Sequence, residues 1–68
     1  MNEDEAWVEA TRLADQYRKH KSDPEMYPIS PEDETTLIDA CSNVGQMLDN
    51  IYRMPSILEG CIATFLTE

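Results

Sequence analysis

Glycine is almost missing from this chain. Gly45 and Gly60 are the only two and stand alone, so no glycine-rich loop is present to wrap backbone N–H groups around a phosphate. Histidine is scarcer still. His20 is the single one, and it lies in the basic run that closes a helix, where a solvated residue is expected rather than a general base or a ligand. No Glu-x-x-His pair exists to build a carboxylate metal centre in a helical bundle. The run "PEDE" lacks the alternating oxygen ligands and glycine turn of a calcium loop, and reads as a helix start. Cys41 and Cys61 show neither CxxC nor Cys/His ligand spacing. Both are expected as free thiols in a reducing cytoplasm, packed as small hydrophobes, and Cys41, on a core seam, should stay protonated and inert. The expectation is a protein without catalytic residues, metal or cofactor, and not an enzyme.

Positive charge is the next shortage. Fourteen acidic residues face five basic ones, a net charge of −9, which repels the phosphate backbone that nucleic-acid binders must neutralise. Four of the five bases fall between Arg12 and Lys21, and Arg53 is alone in the second half. Long apolar runs are lacking too. The densest, "MPSILEGCIATFLTE", carries an apolar stretch broken by Glu59 and Gly60 that spans about eleven residues, well short of the roughly 20 needed to cross a bilayer. Its polar positions, Glu59, Thr64, Thr67 and Glu68, offer no cation to a membrane surface. No charged-then-apolar signal segment opens at Met1. Direct binding to nucleic acid and to membranes is therefore not expected, and the expected location is cytoplasmic.

What is present is helical patterning, and the fold class is all-α. Asn2 is a candidate N-cap with Glu5 three residues on. Ala6, Trp7, Ala10, Leu13, Ala14 and Tyr17 form one stripe at three-four spacing, which predicts a helix over 3–21 with Trp7 in the core. The connector over 22–30, "SDPEMYPIS", holds two prolines, and Met26, Tyr27 and Ile29 are expected to fold over the mouth of the hairpin. Ser30, Pro31, Glu32 and Asp33 mark a second start. Leu37, Cys41, Val44, Leu48 and Ile51 then repeat at four-three spacing, with Ile38 and Tyr52 widening the stripe and Gly45 leaving room for a neighbouring helix. This predicts one helix over 31–54. Counting on reaches Pro55, Leu58, Ile62 and Phe65 without losing step. A helix over 56–66 follows, with a kink at Pro55 favoured over a separate third helix.

The apolar tail needs a cover. At 1.5 Å per residue the first helix spans about 27 Å, whereas a continuous 31–66 helix would span about 50 Å. Leaving about five large side chains in water would forgo roughly 1.5–3 kcal/mol each. The expected solution for this single domain of 1–68 is a helical hairpin with a kinked or separate C-terminal helix, dimerising into a helical bundle. A monomeric three-helix bundle and a chain that folds on its partner remain open. In outline the pattern resembles the small plasmid copy-control hairpins of the Rop type, which pair into four-helix bundles; the likeness is architectural, with no matching run of residues, and implies nothing about function.

The expected function is protein–protein interaction. In this reading an acidic face drawn from Glu32, Asp33, Glu34, Asp39 and Asp49 docks on a basic, nucleic-acid-binding surface of another protein. Small phage and mobile-element inhibitors, anti-CRISPR proteins among them, work in this way. The alternative is a dimeric structural adaptor or small chaperone that lends its apolar C-terminal helix to a partner's groove. Dimer or partner contacts would then come from Trp7, Tyr52, Met54, Leu58, Ile62, Phe65 and Leu66. Met47 and Met54, seven apart, form a further candidate contact strip.

Overall fold

Both helix starts expected from capping chemistry are in place in the computed structural model, which describes all 68 residues. Helix α1 runs Glu3–Ser22. The Asn2 Oδ1 accepts the Glu5 N–H at 2.8 Å while the Asn2 amide donates to the Glu5 carboxylate at 2.6 Å. Glu3, Asp4 and Glu5 fill its first turn and Lys19, His20 and Lys21 its last, which suits the helix dipole at both ends. Helix α2 begins at Pro31, with the Ser30 Oγ accepting the Asp33 N–H at 3.2 Å.

The expected helix over 31–54 does not form. Helix α2 is Pro31–Asn43, α3 is the single turn Leu48–Ile51, and α4 is Ile57–Thr67. Gly45, with φ of 72°, carries the chain out of α2. The Gly45 N–H donates to the Ser42 carbonyl at 3.0 Å and the Gln46 N–H to the Cys41 carbonyl at 2.9 Å, so the helix end is closed by its own backbone. Gly45 is thus a stop signal, not a packing gap. A second left-handed residue, Ser56 with φ of 69°, follows Pro55 and launches α4. The third helix is therefore separate and not a kinked continuation.

The tail turns back on the hairpin. Asn43 donates to both Glu68 carboxylate oxygens at 3.2 and 3.0 Å, which sets the C-terminal ends of α2 and α4 side by side. Arg18 meets Glu59 at the other end, so α4 runs against α1 and alongside α2. Ala6, Ala10 and Ala14, all 0% exposed, give α1 a flat face on which α4 lies. The core joins that face to Leu13, Tyr17, Leu37, Ala40, Cys41, Leu48, Ile51, Leu58, Ile62 and Ala63. Each of the fully buried Leu37, Leu58 and Ile62 contributes about 1.5–3 kcal/mol of burial.

Five residues depart from their expected places. Trp7 is not core; it is 48% exposed on the flank of α1, and Val44, past the end of α2, is 43% exposed. Of the connector's apolar residues only Ile29 packs against the core, while Met26 and Tyr27 face water. His20 is half-buried instead of solvated, and its Nδ1 sits 2.9 Å from the Tyr27 carbonyl, tying connector to helix.

Candidate functional site

The five carboxylates expected on one face are spread over three sides, four of them on α2 and Asp49 on α3. At 100° per residue, Glu32 and Asp39 share the outer surface. Glu34 sits well round the helix with Ile38 and Ser42. Asp33 is half-buried and turned toward α1, 3.7 Å from Arg12. Asp49 belongs to α3, yet it reaches the Glu34 side. Together Glu34 and Asp49 edge a hollow of about 340 Å³ whose walls include Tyr17, Ile38, Ser42, Gln46 and Met47. Ile38 and Met47 are 47% and 68% exposed there. The hollow is a cleft with acidic edges and apolar walls, and only Glu34 and Asp49 of the expected acidic set meet in it.

Tyr17 forms the floor. Its hydroxyl donates to Asp49 at 2.8 Å. Burial first, then the bond to Asp49 and the charges of Asp49 and Glu34, push the phenol's pKa up. The same hydrogen bond, aided by Lys21 at 3.5 Å, holds the Asp49 carboxyl below its ordinary value. Lys21 also lies over the rings of Tyr17 and Tyr52, 5.9 and 5.7 Å from their centroids. Glu34 has no such cation.

The wider pattern of ion pairs makes that distinction matter. Arg12 pairs with Glu9 and Asp33, Arg18 with Glu59, Lys19 with Asp15, and Lys21 with Asp49. Four of the five cations are thus matched inside the fold, and Arg53 lies over the Tyr52 ring. Nine of the fourteen carboxylates are left without a cation. Exposed pairs contribute little, up to about 1 kcal/mol each. Arg18 is different, because it is held on four hydrogen bonds. Its guanidinium donates twice to Glu59, at 2.8 and 3.0 Å, and to the carbonyls of Tyr52 and Met54 at 2.6 and 3.3 Å.

Among the residues expected at an interface, Leu58 and Ile62 lie wholly inside the protomer's own core, 0% exposed, because α4 folds back on α1. That corrects their assignment as contact residues. Tyr52, Phe65 and Leu66 are half-buried against the same core. Trp7 and Met54 stay on the surface, 48% exposed each. Met47 and Met54 do not share a strip: Met47 lines the acidic cleft, Met54 a separate hollow beside α4.

Cys41 is buried and Cys61 half-buried, both free. Burial, then proximity to Cys61, pushes the Cys41 thiol up to about 11, so it is protonated and a poor nucleophile at neutral pH. No group of three or more His, Cys, Asp or Glu is placed to hold a metal ion. No helix is long and apolar enough to cross a membrane. No family model matches the chain, and neither a curated protein nor a solved structure matches it.

Proposed function

We propose that this chain is a small acidic binding protein that occupies a basic surface of another protein, in the manner of an inhibitor or regulator. A surface that accepts it is one that also accepts nucleic acid, so binding here displaces the nucleic acid. The observation that carries the reading is the internal neutralisation of the cations. Nearly all positive charge is matched by neighbouring carboxylates, and the negative surplus faces water. Glu34, unpaired beside the exposed Ile38 and Met47, supports the cleft as the point of contact. A partner's lysine or arginine could lay its alkyl stem along those walls with its charge at Glu34.

The test is capture of partners on the immobilised full chain over a range of salt, with short duplex DNA as competitor. Binding is expected to weaken as salt approaches about 1 M, where exposed charges are screened beyond about 3 Å. Glu34→Lys should weaken it further, and duplex DNA should compete for the captured protein. Capture unchanged by both salt and Glu34→Lys sinks the reading.

A further inference from the structure

Gly60 has no reason inside the fold to be glycine. It sits within α4 with no positive φ, and a Cβ built on it would meet no atom within 4 Å. A mid-helix glycine costs about 1 kcal/mol relative to alanine, and here neither a turn nor an internal close approach offsets that. What Gly60 does is keep a floor open. Two hollows meet over Gly60 and Thr64, one bounded by Trp7 and Glu3 on α1, the other by Val44, Met54 and Ile57. Trp7, Val44, Met54 and Ile57 are each 43–48% exposed. The result is a trough along the outer side of α4, apolar where Val44, Met54 and Ile57 wall it and mixed beside Trp7, where Thr64 and Thr67 also line it, with Gly60 as the floor position that carries no side chain.

We infer that this trough takes an amphipathic helix from the partner protein, laid across Gly60 with apolar side chains between Trp7 and Met54 and a cationic flank toward Glu3. The partner's charge rests on the function proposed above. Neither hollow contains a lysine or arginine; the one charged residue in them is Glu3, and Asp4 follows it on α1. A cationic helix is complementary to that edge. A second copy is not, because it would bring another net −9 against the same carboxylates. Apolar anchors in a groove, with charge setting the orientation, are the usual terms of helix-in-groove recognition.

Trp7 is the only tryptophan and lies on the wall, so its emission reports occupancy. The probe is a synthetic leucine–lysine amphipathic helix about 14 residues long, about 21 Å, with a leucine–glutamate counterpart, added to the full chain. The lysine peptide is expected to shift Trp7 emission to the blue and the glutamate peptide to leave it unchanged. Gly60→Leu, which fills the floor from open space, should weaken the lysine peptide at least about tenfold, roughly 1.4 kcal/mol. Gly60→Ala should retain most of the binding, and circular dichroism should find both variants folded. Lysine-peptide binding that neither shifts Trp7 nor responds to Gly60→Leu overturns the trough while leaving the acidic surface proposal standing. Equal binding of the glutamate peptide, or no binding of either, also overturns it. So does a doubled mass in light scattering that Gly60→Leu abolishes, which would make the occupant a second copy.

Discussion

Arg18 sits on α1 but closes the far end of the chain, where its planar fork holds the Glu59 carboxylate and the carbonyls of Tyr52 and Met54. Arg18→Ala leaves a carboxylate whose side chain is only 15% exposed without its cation and the Tyr52 carbonyl without a donor, the Met54 carbonyl keeping the Ile57 N–H. The expected loss is about 2–3 kcal/mol, measurable by urea unfolding. Lysine at this position keeps the charge but not the fork, so Arg18→Lys should recover only part. The pH dependence follows. The Arg18 hydrogen bonds hold the Glu59 carboxyl below its ordinary 4.5, so the unfolded chain takes up this proton before the folded one. The pair's contribution is therefore full above about pH 4.5 and is lost as pH falls through the lower folded value. Glu59→Gln should flatten that acid limb. Tyr17 has the opposite sign: its pKa is raised from 10.0, so its contribution is present below that pH and lost above it, and Tyr17→Phe should flatten the alkaline limb. In the sequence Arg18 reads as one more cation near a helix end. Its partner stands 41 positions away, and charge pattern along a single helix carries no information at that range.

At the scale of elements, the two glycines separate two causes that composition alone treats alike. Neither would meet a neighbour through a Cβ, but only Gly45 has positive φ. Gly45→Ala should therefore destabilise by about 1–2 kcal/mol, the cost of holding an L-residue in a left-handed geometry. Gly60→Ala should stabilise by about 0.5–1 kcal/mol through helix propensity. Opposite shifts of the urea midpoint check both, and shifts of the same sign would refute this assignment of the helix end. The four-three rhythm was legible as burial and misleading as continuity. Leu37, Cys41, Leu48, Ile51, Leu58 and Ile62 are all inside, none more than 8% exposed, yet they come from three helices. A core-facing spacing survives a break when the turn returns each piece to the same core. Val44 fails because Gly45 has already ended the helix, and the lone glycine was the signal that should have outweighed the spacing. The caps were readable because Asn2 and Ser30 act on backbone within three residues.

For the whole molecule, the apolar tail demanded a cover, and α4 finds it on α1 and α2 of the same chain, which disposes of the length mismatch that had favoured pairing with a second copy. Burial demand can be read from residue types. Its supplier depends on turns at Gly45 and Ser56, whose left-handed geometry is not announced in the case of serine. What remains on the outside is charge. Nine carboxylates without a cation, on a protein whose longest dimension is 32 Å, lie within a few Debye lengths of one another even at physiological salt, where that length is about 8 Å. Their repulsion acts on the compact state more than on the expanded chain. The thermal midpoint should therefore rise by several degrees as salt goes from about 0.01 M to about 1 M, followed by circular dichroism. A falling midpoint would mean that the mostly exposed ion pairs outweigh the surplus, although such pairs contribute at most about 1 kcal/mol each. A rising one means that the fold carries its excess negative charge at a cost in stability. A cationic partner would relieve that cost on binding, so the same partner should raise the midpoint most at low salt and least at high salt.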